Sequence, residues 1–89
     1  MRYVDLAIYI DNNIYEEDCD KEKIFEYMYV LAYMLASKAR YFNNSEDYDG
    51  FATFLAYSTY QRMFDTDKAR IKSVLNYMKS IMYFRKISY

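Results

Sequence analysis

Proline and histidine are absent from this 89-residue sequence, and glycine and cysteine occur once each, as Gly50 and Cys19. Tight hairpin turns depend on glycine and proline, so we exclude a hairpin-rich sheet and predict an all-α fold. The lack of histidine removes the commonest general base and transition-metal ligand. A lone cysteine cannot form an internal disulfide, which excludes a disulfide-stapled secreted domain and favours a reducing compartment.

Long hydrophobic runs are also missing. The most apolar run, from Tyr27 to Ala36, has about half of the residues needed to span a bilayer. The N-terminus lacks the uninterrupted apolar stretch of a signal peptide. We therefore expect no membrane partner and a cytoplasmic protein. No catalytic constellation, cofactor motif or metal-ligand cluster is evident in the sequence, so a non-enzymatic role is predicted.

Aromatic side chains supply much of the apolar content, which is 54% of the sequence with 13 tyrosines and six phenylalanines. Each buried ring removes roughly 150 to 250 Å² from water, which helps a short chain to form a core. The length suits one domain, residues 1–89. Within it we expect an N-terminal segment with an acidic turn, residues 1–20, and a three-helix core, residues 21–89.

The pattern predicts a small bundle of three main helices, after an N-terminal segment of uncertain type. The first helix begins near Lys21, after acidic residues that suit a helix N-terminus, and ends near Arg40. The second begins with Ser45 or Asp47 as its cap and ends near Phe64. The first helix is apolar on every side, so it lies either in the centre of the core or against another molecule.

The third helix is expected to begin at an Asp-Thr-Asp cap, residues 65–67. Residues 3–10 fit both a strand and a helix, and the absence of a pairing strand favours a helix. The residues expected to point inward from the three main helices are Ile24, Met28, Leu31, Leu35, Phe51, Leu55, Met63, Ile71, Val74, Leu75, Met78, Ile81 and Met82.

Charge is divided unevenly along the chain although the net charge is only −1. Residues 1–61 carry eleven acidic and five basic side chains, whereas residues 62–89 carry two acidic and seven basic ones. Steps of three or four place a basic and polar row on one face of the third helix, opposite its apolar side. Such a row favours a polyanion, and an aromatic ring within it suits base stacking. The predicted nucleic-acid-binding residues are Lys68, Lys72, Asn76, Lys79, Tyr83, Arg85 and Lys86.

The order of these features resembles a known family. A helix rich in tyrosine and leucine (26–36) is followed by an acidic helix (47–56) and a basic segment (72–79). From Lys21 to Tyr89 this is similar to a reduced region 2 of bacterial sigma factors, of the divergent kind found in AT-rich phage genomes. The sequence lacks the acid-glutamine-glutamate signature and the tryptophan of that family.

The resemblance implies that the acidic helix docks on the clamp of RNA polymerase and that the basic helix engages promoter DNA. By this resemblance Lys72, Asn76, Lys79 and Tyr83 face DNA. The residues that it assigns to the polymerase-facing helix are Asp47, Asp49, Phe51, Tyr60, Gln61 and Arg62.

The sequence leads to three hypotheses. The first is a small viral, transcription-associated adaptor that binds RNA polymerase and DNA in the manner of sigma region 2, and that would act in the host cytoplasm if a phage encodes it. The second is an anti-defence or host-takeover inhibitor that mimics nucleic acid with its acidic half, in which Glu16, Glu17, Asp18 and Asp20 cluster. The third is a helical structural module that forms a homo-oligomer through the Tyr27 to Ala36 helix.

Overall fold

A computed structural model describes residues 2–65 and 69–87, with side chains described up to residue 84. This part of the chain folds into four α-helices and contains no strand. The helices are α1 (Tyr3–Asn13), α2 (Lys21–Lys38), α3 (Ser45–Met63) and α4 (Val74–Ile87). The prediction of a small all-α fold is confirmed, and α2, α3 and α4 correspond to the three main helices expected from the sequence.

The N-terminal segment is a helix and not a strand. In α1 the side chains of Leu6, Ala7 and Ile10 are buried, at spacings of one, three and four residues that match one helical face. Ile14, at the end of this helix, is also buried. Val4 and Ile8 alternate with Leu6 and Ile10 as in a strand, but they are exposed, because helical geometry turns them away from the core.

Helix α2 begins as predicted and ends two residues early. The Asp20 side chain accepts a hydrogen bond from the backbone N–H of Lys23, at 3.2 Å, and so caps the helix. At the other end the N–H groups of Arg40 and Tyr41 bond back to Ser37 and Ala36, an arrangement that closes a helix in a left-handed turn. Arg40 has a φ of 51° there, a conformation that costs about 1 kcal/mol or more outside glycine.

Helix α3 is capped by Asn44 and not by Ser45 or Asp47. Asn44 has extended backbone angles, and its side-chain oxygen accepts the N–H of Asp47 at 3.0 Å. The connection before it is held by Tyr48, whose hydroxyl donates to the Phe42 carbonyl and accepts the Phe42 N–H. These bonds fix the turn between α2 and α3.

The expected start of the third main helix at residues 65–67 is wrong. Helix α4 begins at Val74, after an irregular segment, and its cap is Ser73, whose hydroxyl accepts the N–H of Asn76 at 3.2 Å. Two contacts from the end of α1 hold this start: Asp11 accepts the Val74 N–H at 2.9 Å, and the Tyr15 hydroxyl accepts the Ile71 N–H at 2.6 Å. A tertiary contact therefore decides where the helix begins.

Helix α2 runs antiparallel to both α1 and α3. Lys38 at the end of α2 contacts Tyr3 at the start of α1, and Phe25 near the start of α2 packs on Tyr60 near the end of α3. Helix α2 contacts all three other helices and is most extensively packed against α3. Of the two positions predicted for this apolar helix, the centre of the core is the one observed. The buried apolar residues are Leu6, Ala7, Ile10, Ile14, Ile24, Met28, Leu31, Ala32, Leu35, Ala36, Phe51, Ala52, Leu55, Ala56, Ile71, Val74, Met78 and Met82.

Candidate nucleic-acid interface

The outer face of α4 carries three of the predicted nucleic-acid-binding residues. Asn76, Lys79 and Tyr83 follow one another at steps of three and four and are exposed. Tyr83 is 65% exposed, with its ring touching only the edge of Phe84 among the ring contacts seen, at 6.3 Å between centroids. An exposed tyrosine between polar residues is a suitable surface for stacking on a base.

The other predicted residues do not extend this face into a row along one helix. Lys72 is exposed but lies in the segment before α4, so it does not share the helical face. Lys68 lies outside the described residues. Arg85 and Lys86 belong to α4, but their side chains lie outside the described part. The predicted line of lysines from residue 68 onward is therefore wrong, because the helix starts six residues later than that line requires.

The fold adds cations that come from other helices. Lys38, in the last turn of α2, places its ammonium 4.5 Å from the centre of the Tyr3 ring and donates to the Tyr3 hydroxyl at 3.3 Å. Lys79 of α4 lines the same pocket as these two residues. Arg2 immediately precedes α1. We call Arg2, Lys38, Asn76, Lys79 and Tyr83 the basic face.

The Tyr3 hydroxyl lies among cations that come from different elements of the fold. The hydrogen bond from Lys38 and the charge of Lys38 lower the pKa of Tyr3 below its usual 10.0, and the charges of Lys79 and Arg2 act in the same direction. An anion that approaches the same position meets the same cations. This grouping could not be predicted from the sequence, because Tyr3, Lys38 and Lys79 come from three helices and are brought together only by the tertiary fold.

The lysines of the basic face have no carboxylate partner within the described residues. The one ion pair seen there joins Arg2 and Asp5 at 3.8 Å, and both side chains are largely exposed. Several other cations contact aromatic rings instead: Lys21 lies over Phe64 and Arg70 over Tyr15. A surface ion pair contributes at most about 1 kcal/mol, so Arg2 remains available to another anion.

The acidic start of α3 contains the first part of the predicted protein-binding surface. Asp47 is exposed. Asp49 accepts a hydrogen bond from the Tyr29 hydroxyl of α2, so one of its carboxylate oxygens already has a partner. Phe51 is only 5% exposed and stacks on Tyr41, with ring centroids 4.9 Å apart. It contributes to the core and presents little surface to a partner.

The second part lies at the opposite end of α3, about three turns away from the first. Tyr60 is half-buried and packs edge-on against Phe25 and Phe64. Gln61 is exposed. The Nη1 atom of Arg62 is buried, and no hydrogen-bond partner for it is seen among the described residues. The structure thus divides the six predicted residues between two ends of one helix.

The contact between Tyr29 and Asp49 allows a direct test of this surface. The hydrogen bond to Asp49, assisted by burial and by the charge of Asp49, raises the pKa of Tyr29 above 10.0. Asp49→Ala should return it toward 10.0, and Asp47→Ala should not, as measured by NMR titration of tyrosine labelled at Cζ. Because the folded pKa is raised, this contact stabilises the fold below pH 10 and the benefit is lost as pH rises through the folded value. A Tyr29 pKa that stays raised in Asp49→Ala would contradict the assigned contact.

Acidic side chains also cluster in the connection between α1 and α2. Glu16, Glu17, Asp18 and Asp20 are all exposed there, and Cys19 between them is half-buried. Asp20 serves as the cap of α2. This acidic loop lies at the end of α2 opposite Lys38.

The exposed apolar surface of α2 is small. Val30 is 40% exposed, and Tyr29, Tyr33 and Met34 are half-buried around a shallow apolar depression of about 300 Å³. These four residues form the apolar surface of α2 through which a second copy of the chain would bind in the oligomer hypothesis.

Among the residues that the structure describes, none of the helices has the length and apolar character to cross a bilayer. No cluster of three or more cysteine and carboxylate side chains in the described ranges is arranged to hold a metal ion.

Comparison with models of protein families, with curated protein sequences and with solved structures gave no match for this chain.

Proposed function

We propose that this protein is a small non-enzymatic adaptor that binds nucleic acid through the basic face. The observation that supports this most directly is the convergence of Arg2, Lys38 and Lys79 from three elements, with neither lysine paired to a carboxylate of the described chain. Bringing like charges together is unfavourable unless an anion neutralises them. A phosphate backbone does so and gains free energy from the counterions it releases.

Two polar side chains of α4 extend the proposed contact beyond phosphate. Tyr83 is 65% exposed and offers its ring to an unpaired base. Asn76, two turns before it, has the donor and acceptor that pair with an adenine edge. In this arrangement the lysines contact the phosphate backbone of the nucleic acid, and Asn76 and Tyr83 contact its bases.

The test of nucleic-acid binding is its dependence on salt. We expect the affinity for a fluorescently labelled oligonucleotide, measured by anisotropy, to fall with a log–log slope of about −3, as for three to four neutralised phosphates. Single-stranded and duplex forms of one sequence should be compared, because Tyr83 favours unpaired bases. Absence of binding at low salt would refute the proposal.

The adaptor part of the proposal concerns the acidic start of α3. Asp47 is exposed there, and Asp49 is held by Tyr29 in a fixed position. A fixed carboxylate suits a basic protein surface, and the resemblance to sigma region 2 names RNA polymerase as that partner. Capture of purified polymerase by the immobilised protein, lost in Asp47→Lys, would support this assignment; capture that is unchanged in Asp47→Lys would contradict it.

A second candidate function rests on the acidic loop. Its four carboxylates, Glu16, Glu17, Asp18 and Asp20, are exposed within five residues, as in a protein that imitates a nucleic-acid backbone to block a basic groove. The two candidates place their partners at opposite ends of α2. They are therefore separable by charge reversal at one end at a time.

A further inference from the structure

A concave pocket lies beside the basic face, where the start of α1, the end of α2 and the middle of α4 meet. Its volume is about 250 Å³, close to the lower limit for small-molecule sites. Leu35 and Met82, which are 5% and 8% exposed, form its apolar wall together with Ala39. Tyr3, Lys38 and Lys79 complete the lining.

Two of the three polar side chains of this pocket are cations, and the third, the Tyr3 hydroxyl, accepts a hydrogen bond from Lys38. Lys38 keeps two of its three N–H donors after its bond to the Tyr3 hydroxyl, and neither Lys38 nor Lys79 has a described carboxylate within 4.0 Å. The hydrogen bond from Lys38 and the charges of both lysines lower the pKa of Tyr3, as expected where cations gather at the mouth of the pocket. A neutral apolar molecule would leave these cations without a partner, whereas an anion would satisfy them.

We propose that this pocket binds a small organic carboxylate, with the carboxylate between Lys38 and Lys79 and an apolar body against Leu35 and Met82. The volume suits a single aromatic ring or a short alkyl chain. The aliphatic stems of the lysines add to the apolar wall, because such stems pack against hydrocarbon while the charge stays in water.

Occupancy of the pocket has a regulatory consequence, which rests on the proposed function. Lys38 and Lys79 belong to both the pocket and the basic face. A bound carboxylate neutralises them and so lowers the affinity for nucleic acid. Binding of the small acid and binding of nucleic acid are therefore expected to compete.

The pocket is tested by titrating the protein with 4-phenylbutyrate and with its uncharged amide, 4-phenylbutyramide, while backbone amide resonances are followed by NMR. We expect shifts centred on Tyr3, Lys38 and Lys79. The acid should bind about fivefold more tightly than the amide, as for one exposed ion pair of about 1 kcal/mol. Equal affinities for acid and amide, or shifts spread over the whole surface, would overturn the proposal.

Two variants separate the pocket from the basic face. Ala39→Leu fills the pocket from an exposed position and keeps both lysines, so it should weaken the acid at least about tenfold and leave nucleic-acid affinity within about twofold. Lys38→Met with Lys79→Met should reduce the affinity for the acid to that of the amide, and Lys21→Met with Lys23→Met should not. Unchanged acid binding in Ala39→Leu would refute the site. Binding of the acid without any binding of nucleic acid would support the site and refute only the proposed function.

Discussion

Replacing Lys38 and Lys79 together by glutamate should weaken nucleic-acid binding about a hundredfold at low salt. Each change removes an attraction to phosphate and introduces a repulsion, and a hundredfold corresponds to about 3 kcal/mol for the pair. The loss should be similar for all sequences, and the salt slope should become shallower by about one per lysine, because phosphate contacts carry no sequence information. Anisotropy titrations at several salt concentrations measure both quantities.

The matched control is Lys21→Glu with Lys23→Glu. Lys21 and Lys23 lie on α2 at the end opposite Lys38, and replacing both makes the same change in net charge. We expect less than about a threefold loss of affinity in the control, since most of its effect on a distant site is screened by salt. An equal loss in both double variants would mean that affinity follows total charge, and it would refute the basic face.

Charge reversal in the acidic loop separates the two candidate functions. With Glu16, Glu17, Asp18 and Asp20 all changed to lysine, a nucleic-acid adaptor retains or increases its affinity for DNA, because an added positive charge attracts phosphate. A mimic of nucleic acid would instead lose its basic partner. The loop is exposed and only Asp20 has a capping role, so the fold should tolerate the change at the price of a weaker start to α2.

The helices and the core were predictable because their signals are local. Ile24, Met28, Leu31 and Leu35 repeat at helical spacing, and all four are buried. The apolar character of α2 on every side predicted that it would be covered. It did not distinguish the centre of the core from an interface with another molecule, and the structure places it in the core. The helical state of α1 could be favoured but not decided, because the segment contains two apolar patterns. Val4, Leu6, Ile8 and Ile10 alternate as in a strand, whereas Tyr3, Leu6, Ala7 and Ile10 have helical spacing.

The start of α4 and the basic face were not predictable, because both depend on contacts between distant parts of the chain. The Asp-Thr-Asp sequence at 65–67 is a suitable local cap, but Asp11 and Tyr15 of the α1 end bind the segment at Ile71 and Val74 and set the start there. In the same way Lys38 looks like an ordinary basic residue that complements the α2 dipole. Only its contact with Tyr3, 35 residues earlier, makes it part of a site.

The position of α2 in the core predicts the largest loss of stability. Leu31→Ala should lower the free energy of unfolding by about 3 to 4 kcal/mol, because Leu31 is fully buried at the centre of the helix that contacts all others. A protein of this length has a total stability of roughly 4 to 13 kcal/mol, so the variant should be close to unfolding. Denaturant unfolding followed by circular dichroism gives the free energy, and the melting temperature should fall by roughly 12 °C or more.

Val30→Ala is the control for that measurement and also tests the oligomer hypothesis. Val30 is 40% exposed, and the gain in helix propensity offsets much of the small apolar area lost, so we expect a change below about 1 kcal/mol. In a monomer this small change does not depend on protein concentration. If α2 instead joins two copies through Tyr29, Val30, Tyr33 and Met34, Val30→Ala would lower a melting temperature that rises with concentration, and light scattering would give the mass of a dimer. Equal losses in Leu31→Ala and Val30→Ala would contradict the central position of α2, because only the buried side chain leaves a cavity.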